Sequence, residues 1–250
     1  MLKVDLHIHT SDDPADRISY STFDLIDRAA ELGYNALALT LHDRQMDPAP
    51  FRAYAAARGI VLIPGIERTI QGRHVLLLNF SSAAEQVGSF EDLARLKARE
   101  HGLVIAPHPF FPAGSALRGQ MHKHADLFDA IEWNAMFTPR VNFNLIGQRW
   151  ARRHGKPMVG NGDVHRLEML GTTYSLVDAE PNADAICDAI AAGRVQVVAT
   201  PHTFLNAAWL MTKLVASAFL PRTRTTRTPR TIRTPRTIRT FRTPDIDLAG

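Results

Sequence analysis

Asp5-Leu6-His7-Ile8-His9-Thr10 is the stretch on which the fold turns. It closes a short apolar run, Val4–Ile8, that reads as a strand. Residues two apart on a strand point the same way, so the imidazoles of His7 and His9 share one side. His-x-His alone is a weak motif, and its weight comes from what the later apolar runs carry at their ends. A second strand over 36–41 leads into His42, and a third over 60–63 into Gly65-Ile66-Glu67. A fourth over 75–80 is preceded by His74, a fifth over 103–106 leads into Pro107-His108-Pro109, and a strand over 157–160 leads into Asp163-Val164-His165.

Helical signals separate these strands. Ser21-x-x-Asp24 and Ser89-x-x-Asp92 resemble capping boxes, and Leu25, Ile26, Ala29, Ala30 and Leu32 recur at helical spacing before Gly33. Further helices are expected over 51–58 and 183–192, the latter followed by a strand over 195–200. Short apolar strands alternating with helices predict an α/β fold with a parallel sheet. About seven such units in one domain predict a closed or nearly closed TIM-like barrel. In such a barrel the C-terminal strand ends converge on one mouth, so His, Asp and Glu from six strands would meet there as a polynuclear metal site.

Composition agrees and narrows the classes. The chain has 250 residues, 45% apolar and 22% charged, which excludes collagen-like, coiled-coil and wholly disordered chains. Its one cysteine, Cys187, excludes an internal disulfide and a thiolate-based zinc cluster, so a metal would rest on His, Asp and Glu. Met1-Leu2-Lys3-Val4-Asp5 has no long apolar run, so no signal peptide and a cytoplasmic location are expected.

The net charge of +4 misleads. Residues 221–250 hold eight Arg and two Asp, leaving the first 220 residues at −2, so charge gives the folded domain no nucleic-acid signature. That tail repeats Arg-Thr-Pro-Arg-Thr-Ile from Arg227 and again from Arg233, and it lacks the apolar residues for a core, so disorder is expected. Three segments follow: a barrel over 1–205, an apolar helix over 206–220 and the tail over 221–250. The helix, interrupted by Lys213, is short for a membrane span and is expected to pack on the barrel, with a membrane surface as the rival.

Other histidines carry blander readings. His101 and His154 each precede a glycine at an expected helix end, where a cation suits the helix dipole. His122 and His124 read as a solvated face. Arg44 and Arg166 lie close to ligand motifs and could reach a phosphate or form surface ion pairs.

Five stretches in order resemble the motifs of the PHP (polymerase and histidinol phosphatase) superfamily: Asp5–Thr10, Ala38–Asp43, Pro64–Glu67, Ala106–Pro109 and Gly162–Arg166. The resemblance covers roughly 1–205 and implies a distorted (β/α)7 barrel with two to three divalent ions of Zn, Mn or Fe. Carried over, His7, His9, Glu67 and Asp163 would hold one ion. His42, His165 and a residue in the loop after the first motif would hold a second. Glu67 would bridge to a third with His74 and His108. The loop departs from the family pattern, reading Asp12-Asp13-Pro14-Ala15-Asp16; counting back from the next helix favours Asp16, with Asp13 second. Leu41 stands where the family usually has Asp.

Such ions would activate a water as hydroxide and neutralise phosphoryl oxygens, making the chain a metal-dependent phosphoesterase. Glu67, Asp163 and His165 would be its catalytic core, with Arg166 and Arg44 as candidate phosphate contacts. The expected partner is a small phosphate ester, a nucleotide or an oligonucleotide end. An amidohydrolase is the first rival, but Glu67 stands where that class commonly has a carboxylated lysine, and Asp163-x-His165 replaces its lone late Asp. A non-catalytic accessory module is the second, and such modules often lose ligands that this chain keeps.

Overall fold

The computed structural model describes residues 1–219; the Arg-rich repeat lies outside the described residues. Its centre is a nine-stranded sheet. Strands β1 (Leu2–Ile8), β2 (Ala36–Leu39) and β3 (Val61–Ile70) run parallel. The chain then reverses through Gln71-Gly72 into β4 (Arg73–Leu78), antiparallel to β3. Strand β5 (Leu103–Ala106) is antiparallel to β4, and β6 (Ala130–Asn134) and β7 (Met158–Asn161) continue parallel to β5. On the other side of β1 lie β8 (Thr173–Val177) and β9 (Val195–Ala199), each antiparallel to its neighbour.

The sheet is therefore mixed, which corrects the expectation of uniform parallel units. The reversal has a local cause: Gln71 and Gly72 both take positive φ, 50° and 76°, as a two-residue hairpin turn of the twist-matched kind requires. Strand β8 was not expected at all. The sheet nonetheless curls almost shut. The Gly160 amide donates to the Ser175 hydroxyl at 2.8 Å, joining β7 to β8. A Cβ at Gly160 would stand 2.6 Å from the Tyr174 carbonyl oxygen, so only glycine lets these backbones close.

Helices α1 (Thr22–Glu31), α2 (Ala49–Ala56), α3 (Phe90–Arg99), the short α4 (Gln120–Lys123), α5 (Asn144–His154), α6 (Ala183–Ala191) and α7 (Phe204–Phe219) surround the sheet. Both expected capping boxes form: the Ser21 and Ser89 hydroxyls accept from the amides of Asp24 and Asp92, whose carboxylates accept in return. In β2 the sequence Ala-Leu-Ala-Leu is wholly buried. Ala36 and Ala38 join an apolar cluster drawn from eight strands and plugged by Ile186, Cys187 and Ile190 of α6. Leu37 and Leu39 pack instead with Leu25, Ile26 and Ala55 of α1 and α2. A third cluster joins Val104 and Ile131 to Leu93 and Leu96 of α3 and Trp150 of α5. No described helix is long and apolar enough to cross a membrane.

Candidate metal centre

The expected site residues meet at one mouth. In β1 the pairing register shifts between Asp5 and Ile8, an irregularity of the kind that re-aims side chains near a site. Strand β4 runs antiparallel, so His74 at its start faces the ends of its parallel neighbours; this is why a histidine preceding a strand belongs with histidines that follow one. His108 and Asp163 sit at positive φ, 30° and 48°, conformations that side chains other than glycine adopt at a cost.

Glu67 is the hub, 1% exposed. Its Oε2 lies 3.4 Å from His7 Nε2, 3.3 Å from His9 Nε2 and 3.1 Å from His42 Nε2. Its Oε1 meets His74 Nδ1 at 2.6 Å and His108 Nε2 at 3.3 Å. Asp163 Oδ1 faces His7 and His9 Nε2 at 3.5 and 3.7 Å and His165 Nδ1 at 3.3 Å. Two atoms each ~2.1 Å from one ion at a tetrahedral angle stand roughly 3.4 Å apart. Several of these separations are too long for hydrogen bonds and suited to shared ligation. The Nε2 atoms of His7 and His9 are buried with no hydrogen-bond partner, so the residues present fit a bound cation. His7, His9 and Glu67 form one group able to hold an ion; His42, Glu67 and His74 form another.

The loop acids divide their labour. Asp13 Oδ1 accepts from the amides of Ala15 and Asp16 at 2.8 and 3.0 Å. Its Oδ2 meets His9 Nδ1 at 2.8 Å, and the His42 amide and Nδ1 at 3.0 and 3.1 Å. Buried and fully engaged, Asp13 orients imidazoles. Asp16 is more open, its Oδ2 2.8 Å from His165 Nε2 and 3.5 Å from His42 Nδ1.

Glu132, fully buried on β6, plays the corresponding part for His7 and was missed in the sequence. Its Oε1 lies 2.8 Å from His7 Nδ1 and accepts from Asn161 Nδ2 at 3.1 Å. Its Oε2 accepts from the His108 amide at 2.7 Å and Asn134 Nδ2 at 3.1 Å. Asn134 Nδ2 also contacts Asp163 Oδ2 at 3.1 Å. A charged residue inside an apolar strand was the available signal.

Charge is strongly organised. Burial opposes the charged forms of His7 and His165, but the surrounding carboxylates outweigh it and hold both well above the ordinary imidazole range. His42 and His108 are raised for the same reasons. Burial alone would raise Glu67 and Asp163, yet the facing imidazoles hold them well below the usual carboxylate range. Burial carries Asp5 up to about 7, against hydrogen bonds from the Gly162 and His7 amides.

Arg166 lines the cavity over this cluster, ion-paired to Glu168 at 2.8 Å; Arg44 is exposed, 3.5 Å from the Asp12 carbonyl, and does not line it. His101 pairs with Asp188 at 2.6 Å, and His154 stacks on Trp150 with centroids 3.8 Å apart. His124 stacks on Phe90 at 4.1 Å, a packed ring where a solvated one was expected.

A family model described as PHP-associated matches residues 142–195. A two-domain protein from Bacteroides vulgatus, described as containing a predicted PHP-like metal-dependent phosphoesterase, is similar in structure at a TM-score of 0.62 and 20% identity. The match covers 79% of this chain and 64% of that one, so the chain spans less than two thirds of that relative. PsfC from Pseudomonas syringae is similar at a TM-score of 0.56 and 15% identity over 86% of this chain and 96% of that one. The lesion-specific endonuclease Q from Pyrococcus furiosus is similar at 0.50 and 15% identity, over 84% and 66% respectively. No curated protein matches the sequence. The chain thus shares the fold of these proteins, and the PHP-associated family model matches its residues 142–195.

Proposed function

We propose that this chain is a metal-dependent phosphoesterase, hydrolysing a small phosphomonoester or a nucleotide end at the mouth of its barrel. The carrying observation is Glu67, whose two oxygens face separate imidazole sets, His7, His9 and His42 on one side and His74 and His108 on the other. In this reading His7, His9, Glu67 and Asp163 hold one divalent ion, His42, His165 and Asp16 a second, and Glu67 with His74 and His108 a third. Bound divalent ions supply Lewis-acid charge for phosphoryl oxygens and a water activated near neutral pH.

The protein's own groups do the rest. Glu132 and Asp13 fix the ring orientations of His7 and His9. Asn134 holds the second oxygen of Asp163. Arg166, whose Nε is buried without a partner, gives a cation and a free donor to the phosphate. No serine, cysteine or histidine nucleophile is required. The fold shared with phosphoesterases and with an endonuclease supports hydrolysis at phosphorus without choosing the ester.

Protein reconstituted with Zn or Mn should hydrolyse an aryl phosphate and lose that activity on exhaustive chelation. Glu67→Gln should cost at least ~10² in rate, because it weakens two sites at once. Activity surviving both treatments would refute the reading, and turnover of amides or lactams but no phosphate ester would make the chain an amidohydrolase.

A further inference from the structure

Above the metal-competent cluster lies a cavity of about 270 Å³. Its floor is the set of candidate ligands. Its opposite wall is apolar: Phe111 from the loop after β5, Met136 after β6, Met169 from the short turn after β7, and Leu210 from α7. Leu210 is 6% exposed and Met169 7%, and both belong to one apolar cluster on which Met136 also packs. Phe204 and Leu205, one turn earlier on α7, stand in solvent. Helix α7 therefore seats Leu210 over the site while the start of the helix stays outside. Trp209 lies beside the other polar element of the rim, its ring centroid 5.4 Å from the Arg166 guanidinium carbon.

We propose that α7 completes the substrate pocket, and that the preferred substrate is a compact phosphomonoester whose ester group is aromatic or apolar and packs between Phe111, Met136, Met169 and Leu210. This rests on the phosphoesterase reading and adds to it the class of ester. Two physical facts support it. The cavity is near the lower end of small-molecule sites, room for a small ring system beside a phosphate. A polyol or sugar ester would bury most of its hydroxyls against Phe111, Met136, Met169 and Leu210, with only Ser115, Asn134 and Arg166 as polar lining besides the candidate ligands, which is costly, whereas an aryl group loses only water. Leu210 and Met169 become specificity-determining residues that touch the ester group and not the phosphate.

The test compares naphthyl phosphate with glycerol phosphate on the metal-loaded full chain. The expected kcat/KM ratio favours the naphthyl ester by ~10² or more, and Leu210→Asn lowers that ratio at least ~10-fold. Met169→Ala, a cavity-forming change on the same wall, should lower the ratio in the same direction should Leu210→Asn fail to fold. Calorimetric binding of a non-hydrolysable naphthyl phosphonate against methylphosphonate gives a readout free of turnover. Equal kcat/KM for the two esters, unmoved by either substitution, overturns the proposal and leaves the phosphoesterase reading intact. If no ester is hydrolysed but the naphthyl phosphonate binds, and binds more weakly in Leu210→Asn, the pocket stands and the reaction assignment fails. Cleavage of a lesion-bearing oligonucleotide with no turnover of either monoester also overturns it, assigning the mouth to a nucleic-acid end.

Discussion

Replacing Glu132 by Gln tests whether the centre is set by residues that never touch an ion. The carboxylate is fully buried and engages His7 Nδ1, the Asn161 amide nitrogen, the His108 backbone amide and the Asn134 amide nitrogen. A carboxylate only accepts, so the His7 nitrogen facing it keeps a proton and Nε2 is the nitrogen whose lone pair a cation would take once its proton is displaced. Gln must turn its NH2 toward one pair of these donors. Turned toward Oε2's partners, it meets the His108 amide at a 2.7 Å spacing that no neighbouring tautomer can relieve. Turned toward His7, it is accommodated if the ring shifts its proton to Nε2, which leaves Asn161 short of one acceptor and removes the lone pair that would bind metal. The cost therefore falls on metal binding. We expect affinity at the His7 site to drop about 10–100-fold, or ~1.4–2.7 kcal/mol. The metal-free protein should lose only ~1–3 kcal/mol for one unpaired buried donor, a fall of roughly 2–4 °C in Tm per kcal/mol. Zinc titration against a competing chelator, with calorimetric melting of both metal-free proteins, measures the two terms separately. Wild-type metal affinity in Glu132→Gln would refute the reasoning, as would a large loss of metal-free stability with affinity intact.

Asp16→Asn should remove one ion per chain by elemental analysis while the metal-free Tm stays within ~2 °C, since Asp16 is the more open loop acid; Asp13→Asn, which disturbs a buried carboxylate holding two histidines, should lower the metal-free stability by ~1–3 kcal/mol, and the reverse pattern would exchange their roles. Metal binding should release protons, with affinity rising as pH climbs through the neutral range. His7, His42, His108 and His165 are raised in the metal-free protein, so their charge pairing stabilises it fully below ~6.5 and fades as pH rises through the folded values, while ligation needs the rings neutral. A pH-independent affinity between ~6 and ~8 would contradict the raised histidines.

The strand-end residues were legible because their chemistry is local: an apolar run followed by His, Glu or Asp marks itself. The Ser21 and Ser89 caps and the strand over 103–106 were legible for the same reason. Strand β8 was not, since two of its three buried positions are Thr173 and Ser175, beside Val177, and polar residues at inward positions blur the apolar alternation that marks a strand. The β3–β4 reversal hid behind Gln71-Gly72, a turn whose first residue is seldom asked for positive φ. Glu132 was hidden by distance, because its partner His7 is 125 positions away in sequence and only barrel closure brings the two together. The apolar wall over the site was unreadable likewise, as Phe111, Met136, Met169 and Leu210 come from four separate segments.

These two kinds of residue explain why the site can form before any ion arrives. His7 and His9 are aimed by carboxylates on their Nδ1 atoms, Glu132 for one and Asp13 for the other, so both rings turn Nε2 inward by the protein's own bonds. The inward nitrogens then face Glu67 and Asp163 at 3.3–3.7 Å, where charge pairing holds acids and bases together. The same attraction that pre-shapes the site also protonates it, since each raised imidazole is stabilised by the carboxylates that would share its ion. A cation entering such a centre displaces protons more than it moves atoms. Strain at His108 and Asp163 can then be carried by the fold, because Glu132 bonds the His108 amide and Asn134 bonds Asp163 whether or not metal is bound.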